Sequence, residues 1–222
     1  MINKSFSKEE IKKLLFESEV IGHGTYGLIV KYDEDTLLKI YYKDIFDTFY
    51  SKNIEKLDGE INSIIEIENE MIQMGLKCKT RLKDMISRIQ QLENTKSRGL
   101  IKGIAMYKEC MIGVFLERYK NYDTLTNVFS DLQKVDQKRV LDVTANLLVD
   151  LYKNGVIPRD IKEDNVMVRK KDLDIKLIDL DDNETRYEDK KYLYEHSYIK
   201  KDVISLFEKM KERLEKINDP ER

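Results

Sequence analysis

Disulfides, proline breaks, metal-ligand clusters and long apolar runs are all missing from this chain. Its two cysteines, Cys78 and Cys110, stand far apart in 222 residues, which excludes a disulfide scaffold and suits a reducing compartment. Only two histidines are present, so no His/Cys cluster supports zinc; His23 and His196 read as surface residues, with His23 close enough to a glycine-rich tip to approach phosphate. Two prolines leave the helical segments uninterrupted and give no Pro-rich linker. No stretch approaches the ~18 apolar residues of a membrane span, and charged Lys4, Lys8, Glu9 and Glu10 precede any signal-like run. A one-sided charge is lacking too. Lys+Arg 40 against Asp+Glu 42 nearly cancel, so no overall field recruits nucleic acid or an anionic membrane.

The chain does carry periodic patterning. Ser7-Lys8-Glu9-Glu10 is a capping box that opens a short helix through Ile11, Leu14 and Leu15. Residues 19–32 alternate apolar side chains around three glycines, and 36–42 form a second β-rich run after Asp33-Glu34-Asp35, together a hairpin with a glycine-rich tip. Helical spacing predicts helices over 54–74, 80–95, 136–153 and 200–217. Strands are expected at 101–107, 111–116, 165–168 and 175–178. The fold class is therefore α+β.

Three constellations carry chemistry. The first is Gly22-His23-Gly24-Thr25-Tyr26-Gly27, a G-x-G-x-x-G after which Leu28-Ile29-Val30 continues as strand rather than opening a helix. That context fits a hairpin tip whose backbone amides cover phosphates, or a plain tight turn. The second is Lys39, a lone cation in the apolar run Leu37-Leu38-Lys39-Ile40. It either faces water on an edge strand or, if buried, pairs with a helix carboxylate and nucleotide α/β-phosphates. The third is Pro158-Arg159-Asp160-Ile161-Lys162-Glu163-Asp164-Asn165, followed by Asp179 at the end of the next strand pair. Asp160 can orient an attacking hydroxyl and accept its proton. Asn165 and Asp179 offer oxygen ligands for magnesium, and Lys162 can neutralise charge on a transferring phosphoryl group.

In these residues and spacings the chain resembles the eukaryotic-type protein-kinase family. Gly22, Gly24 and Gly27 match its glycine-rich loop and Lys39 its β3 lysine. Asp160, Lys162 and Asn165 match its catalytic loop, and Asp179 the Asp of D-F-G. The resemblance implies a two-lobe fold: an antiparallel β-sheet N-lobe with the αC helix over 1–119, and a reduced, mainly helical C-lobe over 120–222. It further implies ATP and Mg2+ as cofactors and a Ser/Thr of a protein as acceptor, since Lys162 is the residue usual in Ser/Thr members. Backbone groups of Glu117 and Tyr119 should bond adenine, and Asp202 should anchor the catalytic loop from a following helix. Glu70 is the expected αC partner of Lys39, with Glu60 and Asp84 as alternatives.

The departures also matter. Pro158 stands where the family has the His of H-R-D, and Asp181 stands for the Gly of D-F-G, removing its flexibility or adding a metal ligand. The interval from Asp179 to Asp202 is short and has no A-P-E. Thr185, Tyr187, Tyr192, Tyr194, Ser197 and Tyr198 crowd it as phosphorylation candidates; alternatively Arg159 holds it through Glu184, Glu188 or Asp189. This shortening resembles minimal kinases that bacterial pathogens deliver into host cells, implying a cytoplasmic or host-delivered protein that an activating partner completes. Two other functions stay open: a small-molecule kinase of the same superfold, and a pseudokinase-like module that binds a partner protein.

Overall fold

The structure is a computed structural model and describes residues 2–24, 27–41, 82, 85–97, 100–107, 110–181, 186–187 and 197–218. The helix expected over 54–74 lies outside them, as do Glu60, Glu70 and Asp84 and most of the segment between Asp181 and Ser197. The fold is α+β. The chain divides into two compact units, one of Met1–Ser87 with Ile101–Arg118 and one of Arg88–Leu100 with Tyr119–Arg222.

The first unit is built on a six-stranded sheet. Its strands are β1 (Ile2–Phe6), β2 (Val20–Gly24), β3 (Gly27–Lys31), β4 (Thr36–Ile40), β5 (Ile101–Tyr107) and β6 (Cys110–Glu117), in spatial order β1-β5-β6-β4-β3-β2. Helix α1 (Lys8–Glu17) starts at Ser7 with the expected capping box, Glu10 N–H donating to Ser7 Oγ and Ser7 N–H to Glu10 Oε2. Its Ile11 joins a core with Phe6, Leu28, Val30, Leu38, Ile40 and Phe115, against which Leu14, Leu15 and Tyr32 pack. These strand positions alternate, as a sheet with one face on a helix requires.

One expectation needs correction: the sheet is mixed, not purely antiparallel. Strand β1 runs parallel to β5, Ile2 opposite Gly103 and Phe6 opposite Tyr107. Ile2-Asn3-Lys4-Ser5-Phe6 carries no alternating apolar pattern, and among its residues only Phe6 is buried. Backbone pairing along the β5 edge holds this strand, with Gly103 permitting the approach: a Cβ there would lie 1.8 Å from the Ile2 carbonyl oxygen.

Helical residues 85–92 form α2, of which residues 88–92 belong to the second unit. Strand β7 (Asp123–Thr124) and the short helix α3 (Leu125–Val128) lead through a 3-10 turn (Phe129–Asp131) to helix α4 (Lys134–Lys153). Helix α4 buries Val140, Thr144, Leu147, Leu148 and Leu151 along one face. The buried Thr144 hydroxyl is satisfied by the Val140 carbonyl one turn back, at 2.8 Å. The helix ends at Asn154, and Gly155 turns the chain with φ 78, a left-handed conformation that glycine adopts without Cβ strain. Strands β8 (Val156–Ile157), β9 (Val166–Arg169), β10 (Asp174–Leu177) and β11 (Arg186–Tyr187) follow, β10-β9-β7 forming one sheet and β11-β8 another. Helix α5 (Ser197–Asn218) buries Val203, Met210 and Leu214 and packs against α4. No helix among the described residues is long and apolar enough to cross a membrane.

Candidate functional site

In the first unit, β2 and β3 pair as a hairpin with Gly24 opposite Gly27 and an irregularity between Val20 and Gly22. The glycines differ in what they permit. A Cβ on Gly27 would sit 2.3 Å from the Ile40 carbonyl oxygen, whereas a Cβ on Gly22 meets nothing within 4 Å. Gly27 is therefore fixed by the approach of β4, and Gly22 is not.

Lys39 sits in the sheet interior, since β4 is flanked by β3 and β6, with Lys39 opposite Ile29 and Val114. That disposes of the edge-strand alternative: the residue is only 5% exposed. Its alternation with Leu38 and Ile40 places it on the face away from α1. There its ammonium lies 5.8 Å from the Tyr41 ring centroid, within cation–π range. Glu117 ends β6 opposite Thr36, and the Arg118 amide donates to the Asp35 carbonyl at 3.1 Å. Tyr119 begins the second unit's run after Arg118, its ring 5.4 Å from that of Tyr122.

The second unit brings four of the expected residues to one pocket. Asp160, Lys162, Asn165 and Asp179 line it together with Leu148, Leu177 and Leu180. Local sequence explains the arrangement. Strand β8 and buried Pro158 lead into the loop, and Ile161, 7% exposed, is the apolar peg that turns its neighbours Asp160 and Lys162 away from the core. A 3-10 turn over Glu163–Asn165 then carries the chain into β9. On the returning strand, the Ile178 amide donates to the Asn165 carbonyl at 3.0 Å. Asp179 follows with φ 61, a left-handed conformation that Asp tolerates better than most residues, and one that turns the chain sharply at the strand end.

Within the pocket, Lys162 Nζ donates to Asp160 Oδ2 at 2.5 Å. Asn165 Nδ2 donates to the Asp160 carbonyl at 2.9 Å and lies 3.4 Å from Oδ2. With Nδ2 committed to Asp160, the amide presents Oδ1 as its remaining coordinating atom. The hydrogen bond to Asp160 raises the Lys162 pKa despite partial burial, and the charges of Asp160, Asp179 and Asp164 add to this. Lys162 is thus a fixed cation at neutral pH. Asn165 Oδ1 and the Asp179 carboxylate are hard oxygen donors of the kind magnesium takes. No group of three or more His, Cys, Asp or Glu residues gathers as a metal cluster among the described residues; a two-donor site that relies on substrate oxygens does not require one.

Other expected residues fall elsewhere. Asp202, which the resemblance sets as an anchor of the loop, is exposed on α5. Arg159 is exposed, and Asp181 is buried at 2% exposure, its carbonyl accepting from Arg88 Nη1 of α2 at 3.3 Å. Strand β11 pairs Arg186 and Tyr187 with Ile157 and Val156, returning the segment after Asp181 to the strand that precedes Asp160.

Two loop tethers carried no local signal in the sequence. Thr126 Oγ1 on α3 donates to Asp164 Oδ1 at 2.6 Å. Arg213, five residues before the end of α5, grips Glu163 with two nitrogens: Nε lies 3.0 Å from each carboxylate oxygen and Nη2 2.7 Å from Oε2. Both contacts join residues far apart in the chain, which no spacing rule connects. No protein-family model matches the chain, and no curated protein matches it either.

Proposed function

We propose that the protein is an ATP- and magnesium-dependent phosphotransferase of protein-kinase-like fold that phosphorylates Ser or Thr of a protein. The observation that carries this reading is the convergence of Asp160, Lys162, Asn165 and Asp179 on one pocket, with the Asp160 carboxylate held by Lys162 and, at 3.4 Å, by Asn165, which also holds its backbone carbonyl. A carboxylate so braced can orient an acceptor hydroxyl. The hydroxyl oxygen bonds to the γ-phosphorus as the bond to the β-phosphate oxygen breaks, ADP departs, and Asp160 takes the hydroxyl proton. Lys162 offsets negative charge on the transferring group, a role its persistent positive charge suits. Asn165 Oδ1 and Asp179 would hold magnesium, which supplies charge neutralisation at the phosphate oxygens when bound.

Two features of the first unit support the same reading. Lys39 is a buried cation in an otherwise apolar interior strand, the position from which a lysine would contact nucleotide α/β-phosphates. The β2–β3 hairpin keeps an unobstructed Gly22, where backbone can approach a phosphate. The test is incubation with γ-labelled ATP and magnesium, alone and with cell lysate, comparing wild type with Asp160→Ala and Lys39→Ala. Labelled protein that disappears with either substitution supports the proposal. Label in small molecules alone moves the acceptor class, and no label above the folded variants sinks the enzyme reading in favour of a binding module.

A further inference from the structure

The catalytic-loop residue Glu163 should face solvent on composition alone, yet its side chain is only 14% exposed and is held in a fork by Arg213 of the C-terminal helix. Fork-on-carboxylate geometry fixes orientation as well as distance, unlike a single ionic contact. The helix that presents Arg213 is itself fixed, because Met210 and Leu214, which flank that residue on the helix, are fully buried. Glu163 in turn opens the 3-10 turn that ends at Asn165, closed by the Asn165 amide on the Lys162 carbonyl at 3.0 Å. Asn165 Nδ2 then reaches the Asp160 carbonyl. An unbroken series of directed contacts therefore runs from α5 through Glu163 and Asn165 to Asp160.

We infer that Arg213 is a positioning residue: by clamping Glu163 it sets the turn that holds Asn165 and Asp160 in register for phosphoryl transfer. This rests on the phosphotransferase reading. The clamp stands where the resemblance to protein kinases assigns the task to Asp202, which is exposed here. Arg213 also balances local charge, since Asp160 and Asp164 as well as Glu163 act on its guanidinium.

The experiment compares wild type with Arg213→Gln, Arg213→Lys and the exchanged pair Glu163→Arg/Arg213→Glu. It measures label transfer, circular dichroism, thermal unfolding and hydrogen exchange at the amides of residues 162–166. Loss of register by about 1 Å is expected to lower kcat on the order of 100-fold in Arg213→Gln. KM for ATP should change less than about threefold, because the effect falls on the transition-state geometry rather than on nucleotide binding. Arg213→Lys, which keeps charge but not the fork, and the exchanged pair should each recover part of the rate, and amide protection in the turn should fall only in Arg213→Gln. Unchanged kcat and protection in a folded Arg213→Gln would overturn the inference, as would a rate loss that merely follows the unfolded fraction. Protection lost in Arg213→Gln while wild type itself transfers no label would sustain the clamp and remove the phosphotransferase reading instead.

Discussion

Alanine at Gly27 and alanine at Gly22 should have opposite consequences, although both residues belong to one glycine-rich hairpin. At Gly27 the new Cβ would lie 2.3 Å from the Ile40 carbonyl oxygen and 3.1 Å from its carbon. Ordinary contact begins at 3.4 Å, so β3 and β4 must separate there by about 1 Å. The atoms in the way are backbone and cannot rotate aside. Overpacking of this kind costs about 1–3 kcal/mol, which in a chain of this length lowers Tm by roughly 2–12 °C. Ile40 adjoins Lys39, so the displacement falls on the strand that presents that lysine. At Gly22 nothing lies within 4 Å of the added carbon, and the stability change should stay within about 0.5 kcal/mol. If Gly22 serves close approach of backbone to phosphate, however, Gly22→Ala should weaken ATP binding about tenfold with Tm unchanged. Thermal unfolding by circular dichroism gives the first comparison and titration calorimetry with ATP and magnesium the second. Equal losses of Tm for the two alanines would refute the packing argument. Unaltered ATP affinity in Gly22→Ala would refute the phosphate role.

Two further outcomes follow from buried or coupled charges. Lys39→Met should leave the circular dichroism spectrum unchanged and, on the proposed phosphate contact, lower label transfer by at least about 100-fold; transfer at the wild-type rate would exclude Lys39 from the site. Tyr122→Phe tests the pair formed by Tyr122, just before β7, and Asp174 of β10, the two strands that flank β9. Burial, then the hydrogen bond to Asp174, pushes the Tyr122 hydroxyl up to about 12. Partial burial opposes ionisation of Asp174, but the Tyr122 hydroxyl, with Lys176 and Arg169, holds its carboxyl below the ordinary value of 3.8. A depressed carboxyl stabilises the fold above its unfolded pKa and loses that contribution as pH falls through its folded one. A raised phenol contributes below its unfolded value of 10.0 and loses its share as pH rises toward about 12. The stability difference between wild type and variant, about 1–2 kcal/mol at neutral pH, should therefore shrink below pH 3.8 and again above pH 10. A difference constant from pH 3 to 11 would contradict the assignment.

Much of the fold was legible because its elements bury one face. Alternation around the glycines gave β2 and β3, and the apolar repeat Val140, Leu147, Leu148 and Leu151 gave α4. Asn154-Gly155 marked the end of that helix, where the structure has Gly155 in the left-handed region. Strand β1 was not legible, because a polar edge strand held by backbone pairing leaves no burial pattern to read. Asp160, Lys162, Asn165 and Asp179 could be grouped from sequence because one loop and one strand pair carry them all. Arg213 could not: its partner lies in another element, and a charged residue on an amphipathic helix has the same pattern whether it faces water or grips a carboxylate. Asp202, placed beneath the loop by the resemblance alone, is exposed on α5.

The central claim is that the pocket around Asp160 transfers phosphate rather than merely holding nucleotide. Asp160→Asn tests it most directly, because the amide preserves shape while removing the base. Calorimetry should give magnesium–ATP affinity within about threefold of wild type, and single-turnover assays should give label transfer reduced by more than about 100-fold. Transfer by Asp160→Asn at the wild-type rate, or a wild-type protein that binds no magnesium–ATP, would contradict the account.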